Sequence, residues 1–144
     1  MGNTKSIGVA FEDQDLKSSS NIYALAGTGQ IGYNTGSSST TPSTVTQATS
    51  KSTGVTLNKL SGQITMNNAS LAANGEAVFT LTNSFIEATD VVVVCLGSSV
   101  SAGRYMVGVA TVSAGSCQIL ITNLSSVASE APVINFAVIK AVNN

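Results

Sequence analysis

Residues 104–123 read RYMVGVATVSAGSCQILITN, and this stretch decides the fold. In its first half, Tyr105, Val107 and Val109 fall on every second position, the repeat of a β-strand whose alternate side chains point to opposite faces. A second run rich in Ile follows, and the Ala114-Gly115 pair between the two runs has the chemistry of a tight turn. The stretch therefore predicts two consecutive β-strands joined by a turn.

Short apolar runs alternate with turn residues through the rest of the chain from about Thr56. β-Branched residues suit a pleated surface, while Ser, Thr and Asn compete with the helical backbone for hydrogen bonds. This spacing is typical of an all-β sandwich or barrel. The predicted strands cover residues 55–60, 63–66, 76–82, 90–96, 104–111, 116–123 and 133–141.

Three of these strands are apolar on both faces, at residues 91–96, 119–121 and 133–139. In a small sandwich, one face of each strand packs on the opposite sheet, which leaves the other face to be covered by something else. We therefore expect an arm of the chain or a neighbouring subunit to cover the second face.

Residues 1–55 have a different composition, with linker-like Ser, Thr and Gly runs such as residues 34–43. They contain too few apolar side chains to become ordered alone, because fixing the backbone costs more than their burial returns. We predict an extended arm that a partner surface orders. Its predicted interface residues are Ile7, Val9, Phe11, Leu16, Ile22, Tyr23, Leu25, Ile31 and Tyr33.

Charge is scarce in this chain. It has six Lys and Arg and seven Asp and Glu, so charged residues make up 9% of its 144 residues and the net charge is −1. Without a basic cluster, the counterion release that drives nucleic-acid binding has almost no source. The longest apolar run, residues 91–96, is far shorter than the ~20 residues of a membrane helix. We expect a soluble protein that binds neither nucleic acid nor membrane.

Two motifs suggest ligands. Residues 27–32 read GTGQIG, the glycine pattern of dinucleotide-binding loops, but a Ser- and Gly-rich segment follows where a helix is needed. A glycine-rich turn explains this motif better. Residues 12–15, EDQD, could hold a cation such as Ca²⁺, but they lack the spaced pattern of calcium loops and suit a solvated or Lys-paired patch. We predict no cofactor and no metal.

Histidine is absent, and no paired acid or activated nucleophile stands out, so the sequence predicts a protein that is not an enzyme. Glu87, Asp90 and Glu130 are predicted to be isolated charges in turns, which keep the loops soluble. Arg104, the single arginine, fits either an interface anchor or an exposed charge at a strand end.

Two cysteines could form one disulfide but no framework. Cys95 lies an even number of positions from Val91 and Val93, and Cys117 lies an even number of positions from Ile119 and Ile121, so each shares a strand face with these apolar residues. Each therefore fits the apolar face of its strand, and we predict two buried free thiols.

Five stretches resemble segments that recur in virion proteins of tailed bacteriophages: residues 50–66, 79–84, 88–94, 114–117 and 133–140. The opening residues 3–14 also resemble the start of such proteins. The resemblance implies an antiparallel, jelly-roll-like β-sandwich over residues 56–144, preceded by the extended arm at residues 1–55. It also implies a homo-oligomer, a trimer rather than a dimer, that performs no chemistry.

The function implied by this resemblance is that of a capsid decoration or cement protein. Such a protein is assembled in the host cytoplasm and lies on the capsid exterior, where its partners are the major capsid protein and its own copies. The alternative is a head-fibre or tail-fibre module that binds a host glycan or receptor. With three Tyr and no Trp, the chain offers few of the aromatic platforms that sugar sites use.

Overall fold

The structure of the chain, a computed structural model, describes residues 43–98 and 101–141. These residues form eight β-strands and no helix. The strands are β1 (Thr44–Thr46), β2 (Val55–Thr56), β3 (Ser61–Thr65), β4 (Glu76–Thr82), β5 (Val91–Ser98), β6 (Tyr105–Ser113), β7 (Ser116–Asn123) and β8 (Val133–Ile139). Consequently, no helix in this part of the chain is long and apolar enough to cross a membrane.

The strands form two four-stranded sheets, which we call sheet A (order β1-β3-β8-β5) and sheet B (order β2-β4-β7-β6). Most neighbours are antiparallel, but β1 runs parallel to β3 and β2 runs parallel to β4. The prediction of an all-β fold is confirmed, and the sheets are mixed where an antiparallel sandwich was expected. The two short strands enter the sheets at their edges and follow the direction of their only sheet neighbour.

Strand β2 is shorter than the predicted strand at residues 55–60 and ends at Thr56. A tight turn follows, in which the backbone N–H of Lys59 donates to the carbonyl of Leu57 at 3.0 Å. The Asn83 side chain then donates to the Lys59 carbonyl at 2.7 Å and fixes the turn. Hydrogen bonds within this turn therefore take the place of the strand pairing that was predicted to continue to residue 60.

The hydrophobic core lies between the two sheets, as in a β-sandwich. Ile64 and Ile134 of sheet A and Leu81, Ile119 and Ile121 of sheet B are all 0% exposed. Burying each of these side chains stabilises the fold by about 1.5–3 kcal/mol. The alternation expected for the strand at β6 is also found, since Tyr105 is buried and Met106 is exposed.

Buried amide side chains hold the loops where a more charged protein could use ion pairs. Asn123 is fully buried, and its Nδ2 donates to the carbonyls of Leu71, Ala72 and Ser126 at 2.8–3.0 Å. Gln47 donates from Nε2 to two carbonyls of the β1–β2 loop and accepts from the Asn67 N–H. These bonds satisfy buried backbone groups and link the loops to one another.

Residues 43–55, within the segment predicted as the arm, contact the sandwich directly. Val45 of β1 pairs with Ile64 and packs against the core. The side chain of Lys51 reaches between loops, where its Nζ donates to the carbonyls of Asn67 at 2.6 Å and Glu130 at 2.5 Å. Residues 1–42 lie outside the described part of the chain, and the boundary at residue 55 stays a prediction.

Candidate functional site

The outer face of sheet A carries a strip of apolar side chains along its last two strands. In β5 and β8, Val91 lies opposite Ile139, Val93 opposite Ala137, and Cys95 opposite Asn135. Val91, Val93 and Ile139 are 56%, 48% and 52% exposed. We define the apolar strip as Val91, Val93, Cys95, Ala137 and Ile139.

The apolar strip exists because strand side chains alternate between faces and β5 is apolar at both parities. Val92 is buried and Val94 packs against the core, so Val91 and Val93 must point away from it. The sequence predicted two-faced apolar strands here and at β8. The topology adds that β5 and β8 are neighbours, which merges their outer faces into one surface.

No charged residue occurs in the four strands of sheet A. The half of the outer face away from the apolar strip is polar and neutral, with Thr44 opposite Gln63 and Thr46 opposite Thr65. On sheet B, Glu76 is the only charged residue among the described strands, and the exposed Val78 lies two positions from Glu76 and Thr80. Among the described strands, sheet B also exposes Val78 and Met106, but the apolar strip lies on the sheet whose strands carry no charge.

An ion pair ends the apolar strip beside Ile139. Lys140 Nζ lies 2.6 Å from Asp90 Oδ2, and the backbone N–H groups of Glu87 and Ala141 also donate to this carboxylate, at 2.8 and 3.0 Å. The hydrogen bond from Lys140 and these two N–H groups lower the pKa of Asp90 below its usual value. The prediction that Asp90 is an isolated charge is wrong, because its side chain is buried and paired with Lys140.

Both cysteines are free, but only Cys117 is buried. Burial raises the pKa of the Cys117 thiol to about 11, so the nucleophilic thiolate is rare near neutral pH. Cys95 is exposed, and the prediction that it is buried is wrong. Cys95 does lie on the same face of β5 as Val91 and Val93, as predicted, but this face points away from the core.

A second polar group lies where the chain enters β6. Arg104 Nε is 3.9 Å from Glu130 Oε2, so Glu130 is not the isolated charge predicted. The adjacent Tyr105 is buried, and its hydroxyl makes no aligned hydrogen bond with a neighbour. Burial, followed by the nearby Glu130 carboxylate, raises the pKa of Tyr105. Arg104 Nε, Glu130 Oε2 and the Tyr105 hydroxyl are buried without a hydrogen-bond partner, although the Arg104 and Glu130 side chains stay 21% and 29% exposed.

A shallow cavity of about 320 Å³ lies beside the start of β1. Its lining is Ser43, Thr44, Ser61, Gly62, Gln63, Asn135 and Phe136. None of these residues is charged or able to act as a general acid or base near neutral pH. Within residues 43–98 and 101–141, moreover, no group of three or more His, Cys, Asp or Glu could hold a metal ion.

The nine interface residues predicted from the arm, from Ile7 to Tyr33, lie outside the described residues, as do the glycine motif at 27–32 and the acidic patch at 12–15. They stay predictions. Comparison with protein-family models, with curated proteins and with solved structures finds no match for this chain.

Proposed function

We propose that this chain is a structural protein of a tailed-bacteriophage virion, a capsid decoration or cement protein. In this role it binds the outside of the head through the major capsid protein. It stabilises the head by contacts of its N-terminal arm and between subunits. The resemblance of residues 50–66, 79–84, 88–94, 114–117 and 133–140 to virion proteins supports the class.

The observation that carries the proposal is the apolar strip. Val91, Val93 and Ile139 each expose about half of their side-chain surface in one neighbouring group, without a charge among them. A contiguous exposed apolar surface is typical of a protein contact. It suits a protein whose work is to hold other proteins, and this supports a structural role.

The charged side chains of the described sandwich also favour a role without chemistry. Lys51 is held by backbone carbonyls, Asp90 by Lys140 and two N–H groups, and Arg104 lies against Glu130. The cavity beside β1 has a neutral lining. We therefore propose that the protein is not an enzyme.

We further propose that the sandwich is jelly-roll-like and that the extended arm precedes it, joining it through residues 43–55, which pair with and pack against the sheets. A jelly roll arises when a long antiparallel hairpin is wrapped into two sheets. The nested pairs β3–β8 and β4–β7 support such a wrapping, with the parallel strands β1 and β2 added at the edges.

Co-sedimentation of the purified full chain with heads that lack it tests this function. We expect saturable binding, and bound heads should resist heating better than bare heads, because binding to the native state stabilises it by mass action. Absence of binding to heads would contradict the proposal. Adsorption to host cells instead would favour the fibre or receptor-binding alternative.

A further inference from the structure

We propose that the apolar strip is the surface through which copies of this chain associate, strip against strip around a symmetry axis. The inference deepens the proposed function, on which it rests, by assigning the subunit contacts of that function to five named residues. The occupant of the apolar strip is thus a second copy of the same chain.

The absence of charge limits what can cover the apolar strip. A charged partner surface would lose its water and find no opposite charge among the strands of sheet A. Three charges lie at the end of the apolar strip and already face one another: Lys140 Nζ is 2.6 Å from Asp90 and 3.6 Å from Glu87. The partner must therefore present an apolar, uncharged face.

The apolar strip of a second copy is such a face. Its Val91–Ile139 and Val93–Ala137 pairs have the same chemistry as the inner faces of the same strands, where Val92, Val138 and Ile134 pack in the core. Two faces of this kind stack about 10 Å apart, as the two sheets of a sandwich do. On sheet B, by contrast, the exposed Val78 lies opposite Leu120 but two residues from Glu76, so the apolar side chains of that face have a charge among them.

The cost of ordering such an interface is small. Valine and isoleucine have stiff side chains with restricted χ1 rotation, so they lose little freedom when covered. The neutral polar half at Thr44, Gln63 and Thr65 stays in water and sets which half of the face is covered.

Cys95 provides a built-in reporter, because it is exposed within the apolar strip whereas Cys117 is buried in the core. If copies meet strip against strip, the Cys95 thiols of both copies lie within the same contact. A short bismaleimide should then link two full-length chains through Cys95. The link should disappear in Cys95→Ser and persist in Cys117→Ala.

The decisive comparison is between Val93→Lys and Val78→Lys, two exposed valines on different sheets. Analytical ultracentrifugation of the full chain should show Val93→Lys monomeric where the wild type and Val78→Lys are oligomeric. A lysine forced into an apolar contact should weaken self-association by about 100-fold or more. Circular dichroism of each variant verifies that it is folded.

Several results would overturn the inference. One is a wild type that stays monomeric at about 0.1 mM, a concentration well above the Kd of a stable oligomer. A monomer whose Cys95 resists maleimide would instead indicate that residues 1–42 of the same chain cover the apolar strip. If Val93→Lys remained oligomeric but no longer bound heads, the apolar strip would be the capsid contact, and the proposed function would survive alone. If the wild type oligomerised through the apolar strip but was absent from heads, the inference would survive and the proposed function would fall.

Discussion

Replacing Asn123 with alanine should destabilise the sandwich more than any exposed polar substitution does. Asn123 is 0% exposed at the end of β7. Its Nδ2 donates to three carbonyls, and its Oδ1 accepts from the Ser125 N–H at 3.1 Å. An amide nitrogen has only two hydrogens, so the three carbonyls share them.

The structure sets the size of this effect. Asn123→Ala removes the equivalent of three neutral hydrogen bonds, worth about 1 kcal/mol each, and leaves buried carbonyls to find water. We expect a loss of about 3 kcal/mol in the free energy of unfolding. At a urea m-value of roughly 1–3 kcal/mol/M, the urea midpoint should fall by about 1–3 M.

Urea denaturation followed by circular dichroism measures this loss, with Asn68→Ala as the matched control, since Asn68 is exposed. Asn123→Asp should be at least as damaging at neutral pH, because a carboxylate cannot donate to the three carbonyls and repels them. A loss below about 1 kcal/mol for Asn123→Ala relative to Asn68→Ala would refute the reasoning, since it would mean that these hydrogen bonds contribute no net stability.

Three further predictions concern the thiols, the buried ion pair and a turn. In the Cys95→Ser variant, Cys117 should react with a thiol reagent at the rate of unfolding, because it is buried with a pKa of about 11; rapid reaction in the folded protein would contradict its burial. Because folding lowers the pKa of Asp90, its carboxylate should stabilise the fold at pH values above its unfolded-state pKa of about 3.9. This contribution should vanish as the pH falls through the lower pKa of the folded state. Asp90→Asn has no carboxylate to pair with Lys140, so its urea midpoint should fall less at acidic pH than that of the wild type. An equal fall in both proteins would exclude Asp90 as the source of this pH dependence. Gly115→Ala should lower stability by about 1–2 kcal/mol in thermal denaturation, because Gly115 has φ +81 and alanine is strained there; an unchanged Tm would contradict this.

Much of the sandwich was predictable because its strands alternate. Phe79 and Leu81 are buried in β4, as the polar residues between and after them indicate, and the turn at Ala114-Gly115 joins β6 to β7 as predicted. β1 was missed because Thr44–Thr46 lies in a Ser- and Thr-rich stretch without an apolar repeat. Only its parallel pairing with β3, a tertiary interaction, makes it a strand.

The candidate site was predictable only in part. The two apolar faces of β5 and β8 are visible in the sequence, but their adjacency is a property of the topology. In the run Val91–Val94 every residue is apolar, so the alternation cannot show which parity faces the core, and Cys95 was assigned to the wrong face. The burial of Lys51 was equally invisible, because its partners are backbone carbonyls distant in sequence.

The most direct test of the proposed virion role is a single-particle reconstruction of phage heads assembled with and without the gene for this chain. We predict density for the sandwich on the capsomers of the head, with neighbouring copies in contact through Val91, Val93 and Ile139, and bare capsomers when the gene is deleted. An unchanged head surface, or density for the chain only on the tail, would contradict the assignment as a capsid decoration protein.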